Sequence, residues 1–124
     1  VMLQIGNDWY VRSIKNATDD GALTFFCAID NGLPLTVGKG IGFTATLREK
    51  VKEIQAEFPS IEMTLGVECI LRRIEINENN NHKEVEAELS KIKFMGFSSF
   101  GEQFNAIHVN QTLVGIVFGS EPQA

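Results

Sequence analysis

Apolar positions recur with a helical period in one stretch of the chain, between Phe43 and Phe58. They are spaced by four, four, three and four residues, which places them on one stripe of a helix: Phe43, Leu47, Val51, Ile54 and Phe58. Lysines and glutamates fill the other face, and Pro59 follows directly. The spacing therefore predicts a helix over 43–58, with Thr46 and Glu49 as a capping box near its start.

A second, shorter helix is predicted over Lys83–Ile92, where Val85, Leu89 and Ile92 form the apolar stripe. Asn81 and Glu84 resemble a capping box at its beginning. Between the two helices, Ile61–Val67 alternates apolar and polar residues and predicts a strand. The segment Cys69–Ile76 is ambiguous, because its pattern fits either an extension of that strand or a short helix.

The first forty residues predict a small antiparallel meander. Trp9–Ile14 and Leu23–Ile29 favour strands, the second of them a buried one, and Asp20-Gly21 between them is a hairpin signal. Leu33–Val37 predicts a short strand that Pro34 would confine to a sheet edge.

Two apolar runs near the end of the chain, Phe94–Phe100 and Thr112–Phe118, predict a closing pair of strands, the second of them buried. They flank a polar corner of six hydrogen-bonding side chains: Glu102, Gln103, His108, Asn110, Gln111 and Thr112. Strands that fix both ends of such a segment are a common way to present a functional site. Residues 121–124 are expected to be frayed.

These elements together predict an α+β fold, in which an antiparallel sheet carries two main helices on one face. A length of 124 residues suggests one domain over 1–124. The net charge of −5 argues against a nucleic-acid interface, which needs clustered basic residues. No apolar run approaches the roughly 20 residues that a membrane span requires.

The polar corner leaves several interpretations open. Glu102, which follows Gly101, is either a buried carboxylate of a binding site or a structural acceptor of backbone N–H groups. His108 is either a satisfied core or edge residue, or a group that faces Glu102 or ligates a haem iron. Arg72 and Arg73 could supply a fork for a ligand carboxylate, or could form an ion pair with Glu68 or Glu75. If one arginine, Glu102 and the Asn110 amide converged, they could hold both ends of an amino acid.

Other chemistry has weaker signals. Cys27 and Cys69 lie in apolar runs and are expected to be free buried thiols, and no pairing of residues indicates a metal site. Cys69, His108 and Asn110 supply the residue types of a catalytic triad without any local signature of one, so we expect no enzyme. The segment GKGIG at 38–42 precedes the first helix and is either an anion-binding loop or a flexible connection.

The pattern GFSSFGEQF…HVNQTLVGI resembles the signature of the FIST C-terminal domain, including its Gly-Glu step at Gly101-Glu102. Upstream, CILRR at 69–73 is similar to the family's Cys-x-x-Arg-Arg element. The segment YVRSI at 10–14, followed by DGAL at 20–23, is similar to its Val-Arg-x-Ile and Gly-x-Leu segments. The chain has Ser99-Phe100 where family members often have Thr-Tyr.

This resemblance implies a cytoplasmic sensory domain that binds a small, amino-acid-like ligand as the input to signal transduction. The ligand-binding residues would be Arg72, Gly101, Glu102, His108, Asn110 and Thr112. Implied partners are an N-terminal FIST half and signalling output domains, and the chain, which begins on Val1, is expected to be a fragment of a longer protein. Alternatives are haem-dependent nitric oxide sensing, with haem as the cofactor, and a module that only docks or dimerises.

Overall fold

A computed structural model describes residues 1–104 and 106–120, which leaves the predicted frayed end at 121–124 outside the described residues. Within these ranges the chain forms ten strands and three helices, so the predicted α+β class is confirmed with one helix more than the sequence indicated. In chain order they are β1 (Met2–Ile5), β2 (Asp8–Val11), β3 (Ile14–Ala17), β4 (Leu23–Phe25), β5 (Leu35–Thr36), α1 (Phe43–Glu57), β6 (Ser60–Cys69), α2 (Ile70–Glu78), α3 (His82–Ser90), β7 (Phe94–Ser99), β8 (Glu102–Phe104), β9 (Ile107–Val109) and β10 (Leu113–Ser120).

The longest sheet has the strand order β10-β6-β7, with β10 antiparallel and β7 parallel to the central strand β6. The two apolar runs near the end of the chain therefore do not pair with each other, and the predicted closing pair is wrong. A parallel pair needs a crossover connection, and α2 and α3 supply it between β6 and β7. No local pattern could show that an earlier strand inserts between the last two.

A row of three glycines crosses this sheet, because Gly66 of β6 is paired with both Gly115 and Gly96. A Cβ atom at position 96 would overlap the Gly66 carbonyl, and one at position 66 would overlap the ring of Phe94. The glycines therefore allow both the close approach of the strands and the packing of Phe94 across Gly66.

The hydrophobic core lies between the helices and one face of this sheet. Its buried members come from all three helices and from the segment before β7: Leu47, Val51, Ile76, Val85 and Ile92. Phe94 and Leu113 of the sheet pack against this cluster. The buried residues of α1, Leu47 and Val51, belong to the stripe that the sequence predicts.

Helix boundaries differ from the predicted capping signals. α1 begins at Phe43 after Gly42, without a side-chain cap, so the capping box at Thr46 and Glu49 is wrong. Asn81 occupies the N-cap position of α3 but makes no capping hydrogen bond through its side chain. The ambiguous segment contains both structures, since the strand runs through Cys69 and α2 begins at Ile70.

The N-terminal strands form two small antiparallel sheets instead of one meander, with orders β2-β1-β5 and β3-β4. The hairpin at Asp20-Gly21 is confirmed, and β5 is an edge strand as Pro34 predicts. The buried strand predicted over Leu23–Ile29 is wrong, because only Leu23–Phe25 is extended and Leu23 is 47% exposed. Its apolar residues have no second layer within the described residues to bury them.

Ionic contacts connect α1 to α3. Arg48 binds Glu84 at 2.7 Å and Glu88 at 3.1 Å, and Lys91 binds Glu88 at 2.6 Å. The hydrogen bond from Lys91, followed by that from Arg48, holds the pKa of Glu88 below its ordinary value, and the bond to Glu88 raises the pKa of Arg48. Glu88 is itself buried, so its charge is compensated by two cations at the edge of the core.

We expect Glu88→Gln to be less stable than the wild type at neutral pH, because both cations lose their charged partner. Since the pKa of Glu88 is lowered in the folded state, its ionisation stabilises the fold above the ordinary carboxyl pKa of about 4.5, and this contribution is lost as the pH falls through the folded value. Urea unfolding at pH 7 and at low pH would measure this, with the difference between the two proteins shrinking on acidification. A difference independent of pH would contradict the role of the charge.

Candidate functional site

The polar corner contains a hairpin of its own. β8 pairs with β9 in antiparallel register, with Glu102 opposite Val109 and Gln103 opposite His108. The hairpin connects β7 to β10, and β8 lies against β6 and β10. The site is therefore attached to both edge strands of the longest sheet.

Glu102 is buried, and both oxygens of its carboxyl group accept hydrogen bonds from hydroxyl groups. Ser99 Oγ donates to Oε1 at 2.6 Å, and Thr112 Oγ1 donates to Oε2. The donors lie at the end of β7 and just before β10, so the carboxyl group joins the two ends of the corner. The structural interpretation of Glu102 expected backbone N–H donors, and side-chain hydroxyls take that place.

Gly101 has a positive φ of 143° and lies against two side chains of the corner. A Cβ atom there would overlap His108 Nε2 and lie 3.0 Å from Asn110 Nδ2. Only glycine therefore fits between β7 and the Glu102 carboxyl group. His108 itself is exposed, but its Nε2 is turned towards this glycine.

Asn110 is the most unusual group of the corner. Its exposure is 0%, yet among the described residues neither Nδ2 nor Oδ1 has a hydrogen-bond partner. Buried amide groups are nearly always paired, and leaving one unpaired costs about 1–3 kcal/mol. Such a donor and acceptor together can bind a polar group of a ligand.

Arg12 reaches the corner from the end of β2, and the sequence does not identify it as a site residue. It is 5% exposed, and its Nη1 donates to the carbonyl oxygens of Val11 and His108, each at 3.3 Å. Its Nε, like the hydroxyl of the neighbouring Ser13, is buried without a partner within the described chain. The signal in the sequence is a single arginine among apolar residues, which local pattern alone does not distinguish from an exposed one.

A cavity of about 480 Å³ adjoins the corner, within the size range of small-molecule sites. Thr112, which donates to Glu102, forms part of its wall, whereas Glu102 and Asn110 are not among the lining residues. The lining comes from β2, the end of β9, the residue before β10 and the start of β10: Asp8, Trp9, Tyr10, Val109, Thr112, Leu113, Val114 and Gly115. The sequence does not indicate the β2 residues as part of a site, because their place in this lining depends on long-range packing.

Arg72 is the one predicted site residue that lies elsewhere. It lines a second cavity of about 620 Å³, next to the 38–42 loop and α1. Its Nε lies 3.4 Å from Glu68 Oε1, as one of the two sequence interpretations expected, and its guanidinium stacks 4.9 Å from the centre of the Phe43 ring. The structure thus brings together Gly101, Glu102, His108, Asn110 and Thr112 but not Arg72.

Cys69 and Cys27 are both free thiols, as predicted, with Cys69 fully buried and Cys27 half-buried. A nucleophile has to be reached by its substrate, which the burial of Cys69 prevents in this structure. Across residues 1–104 and 106–120, no three His, Cys, Asp or Glu side chains cluster as metal ligands. None of the helices in these ranges is long and apolar enough to cross a membrane.

A small α+β domain with a polar, partly unpaired corner beside a cavity is the kind of structure expected of a ligand-binding domain. The family model of the FIST C domain matches residues 1–105, so the chain belongs to this family of sensory domains of signal-transduction proteins. The matched residues include Gly101 and Glu102 and end before His108, Asn110 and Thr112. A search of curated proteins and a search of solved structures found no match.

We expect Thr112→Val to destabilise the protein by about 1.5–3 kcal/mol, because the Glu102 carboxyl group loses one of its two hydroxyl donors in a buried place. Valine has the shape of threonine, so the change removes little except the hydroxyl. Urea unfolding would measure the loss, and Thr112→Ser, which keeps the donor, is the matched control. Equal stability of the valine and serine variants would show that this hydrogen bond contributes nothing.

Proposed function

We propose that this FIST C domain is a cytoplasmic, non-catalytic sensor that binds a small amino-acid-like ligand at the corner formed by Ser99–Thr112 and passes the binding event to signalling output domains. The observation that carries the proposal is the buried Asn110 amide, which has no hydrogen-bond partner among the described residues and lies against Gly101, the neighbour of Glu102. The hydroxyl groups of this corner, on Ser99 and Thr112, donate to Glu102, and neither is hydrogen-bonded to a histidine base among the described residues, which favours sensing over catalysis.

The chemistry of the corner suits a ligand with both a cation and hydrogen-bonding groups. Each carboxylate oxygen can accept more than one hydrogen bond, so Glu102 can receive an ammonium group while it keeps the hydroxyls of Ser99 and Thr112. The Asn110 amide offers both a donor nitrogen, Nδ2, and an acceptor oxygen, Oδ1. A ligand in the adjoining cavity would reach these groups through a small displacement of the Thr112 wall.

The test is thermal unfolding of the purified protein against a panel of the common amino acids. A ligand at about a hundred times its dissociation constant adds roughly 2.7 kcal/mol of stability, which raises the melting temperature of a domain of this size by roughly 8 °C. We expect Glu102→Gln and Asn110→Ala to lose this rise. Glu86→Gln, which removes an exposed charge on α3, should keep it.

Unchanged ligand responses in both the Glu102 and Asn110 variants would exclude this corner as the site. A wild-type protein that responds to no amino acid would contradict the proposed ligand class. Measuring the unfolding free energy of each variant without ligand separates lost binding from lost folding.

Haem binding is the alternative that His108 raises, and the residues of the corner do not fit it. His108 Nε2, the nitrogen that would ligate iron, is turned towards Gly101, and His108 lines neither cavity. We therefore expect haemin titration to give no Soret shift that depends on His108. A shifted band in the wild type that His108→Ala abolishes would establish the haem interpretation instead.

A second candidate function, docking, is favoured by the open face of the longest sheet. We propose that the N-terminal FIST half covers this face, whose apolar residues are exposed. Phe97 is 65% and Ile116 is 63% exposed, and the face consists of Leu65, Met95, Phe97, Ile116 and Phe118. Paired strands place them together, since Leu65 is opposite both Met95 and Ile116. Contiguous exposed apolar patches of this kind mark interaction surfaces.

In the protein that carries both FIST halves, we expect Phe97→Thr to lower the unfolding free energy by about 1–3 kcal/mol, because the ring is buried by the partner half. Phe100→Thr, which changes an exposed ring just beyond β7, should alter it little. Equal effects of the two substitutions would contradict the proposed cover. A concentration-dependent dimer that Phe97→Thr abolishes in sedimentation would assign the face to a second copy.

A further inference from the structure

We infer that Arg12, and not Arg72, binds the anionic group of the ligand, and that the ligand therefore carries a carboxylate. The inference rests on the proposed function, because it concerns the same corner. The observation behind it is a buried guanidinium that faces the site residues without a compensating acid.

The burial of Arg12 requires an explanation. An arginine side chain stays protonated in proteins, and buried charges are normally paired because an unpaired one is costly to desolvate. At 5% exposure, Arg12 has no Asp or Glu oxygen within 4.0 Å among residues 1–104 and 106–120. Two carbonyl oxygens accept from Nη1, which supplies dipoles but no negative charge.

The backbone holds Arg12 in a defined place. Its N–H donates to the Val1 carbonyl at 2.9 Å, and the Val1 amino group donates to the Arg12 carbonyl at 3.3 Å. The side chain then spans from the end of β2 to the His108 carbonyl of β9, two residues before Asn110. Fixing both ends of the side chain reduces the entropy that binding would otherwise cost.

The unpaired atoms at this place suit a planar anion. Arg12 Nε and Asn110 Nδ2 are buried donors without partners, and a guanidinium can bind a carboxylate through two parallel hydrogen bonds. Glu102 lies opposite Val109 in the hairpin and, among the described residues, bonds to the hydroxyls of Ser99 and Thr112 and not to Arg12, so its carboxyl group is left to suit a cation. The corner therefore has separate places for the two charges of the ligand.

Arg72 is a useful comparison, because it is an arginine whose charge has a carboxylate partner. Arg72 also has a buried nitrogen without a partner, Nη2, but its charge is compensated by Glu68 at 3.4 Å. It lies beside the second cavity, with the Phe43 ring against its guanidinium. An arginine that already has its carboxylate makes a matched control for one that has none.

The experiment compares acids with their neutral analogues. Isothermal titration would use the common amino acids and the primary carboxamide of each, with wild type, Arg12→Gln, Arg12→Lys and Arg72→Gln. We expect the wild type and Arg72→Gln to bind at least one acid about tenfold or more tightly than its carboxamide, because the charged hydrogen bonds are lost in the amide. Arg12→Gln should lose this preference. Arg12→Lys, which keeps the charge without the planar fork, should keep the preference at lower affinity.

Acetate separates this inference from the proposed function, because it carries the anionic group alone. Concentrated acetate should raise the melting temperature of the wild type and of Glu102→Gln more than chloride does, and should fail to do so in Arg12→Gln. An acid-over-carboxamide preference that survives in both Arg12 variants would overturn the inference while leaving the amino-acid site in place. A wild type that binds neither the amino acids nor acetate would overturn both.

Discussion

The pairing of β6 with two strands from the end of the chain is the constraint on which the other features depend. β7 and β10 both bond to it, and the glycine row of Gly66, Gly96 and Gly115 lets the three strands approach closely. The end of β6 also fixes the site, since the Cys69 N–H donates to the Thr112 carbonyl at 3.0 Å. Thr112 in turn donates to Glu102, so the carboxyl group is placed by the register of the sheet.

Buried charge is compensated differently in the helix layer and at the corner. On the helix side, Glu88 is buried but has two cations within 3.1 Å, so its cost of burial is compensated inside the chain. At the corner, within residues 1–104 and 106–120, Glu102 receives only neutral hydroxyl donors and Arg12 only neutral carbonyl acceptors. A buried network with incomplete pairing is expensive in a purely structural role. That contrast within one molecule is the reason to assign binding to the corner and stability to the helix contacts.

Parts of the fold and of the candidate site could be predicted from the sequence, wherever a local pattern of apolar and polar residues determines them. The stripe of α1 depends on spacing alone, and the corner was recognisable because six polar side chains interrupt two apolar runs. The predictions that are wrong, such as the closing pair of strands, concern which distant strands pair with each other. The run in β10 is strongly apolar, yet Ile116 is exposed because no second layer within the described residues covers that face. Whether Arg12 or Arg72 is the better candidate to bind an anion likewise depends on which of them lies next to a carboxylate in the folded chain. The spacing of residues in the sequence does not determine this.

The incomplete pairing of buried polar groups that identifies the corner also suggests how ligand binding could change the rest of the domain. In the part of the chain that the structure describes, the core cluster has five buried residues and the strands are divided among four sheets. A domain with few buried contacts has a small margin of stability, so binding energy of a few kcal/mol is a large fraction of the total. A ligand that pairs Arg12, Asn110 and Glu102 would stiffen the hairpin that joins β7 to β10. Because those two strands also form the edges of the open sheet face, the ordering would reach the surface that we propose for the N-terminal half.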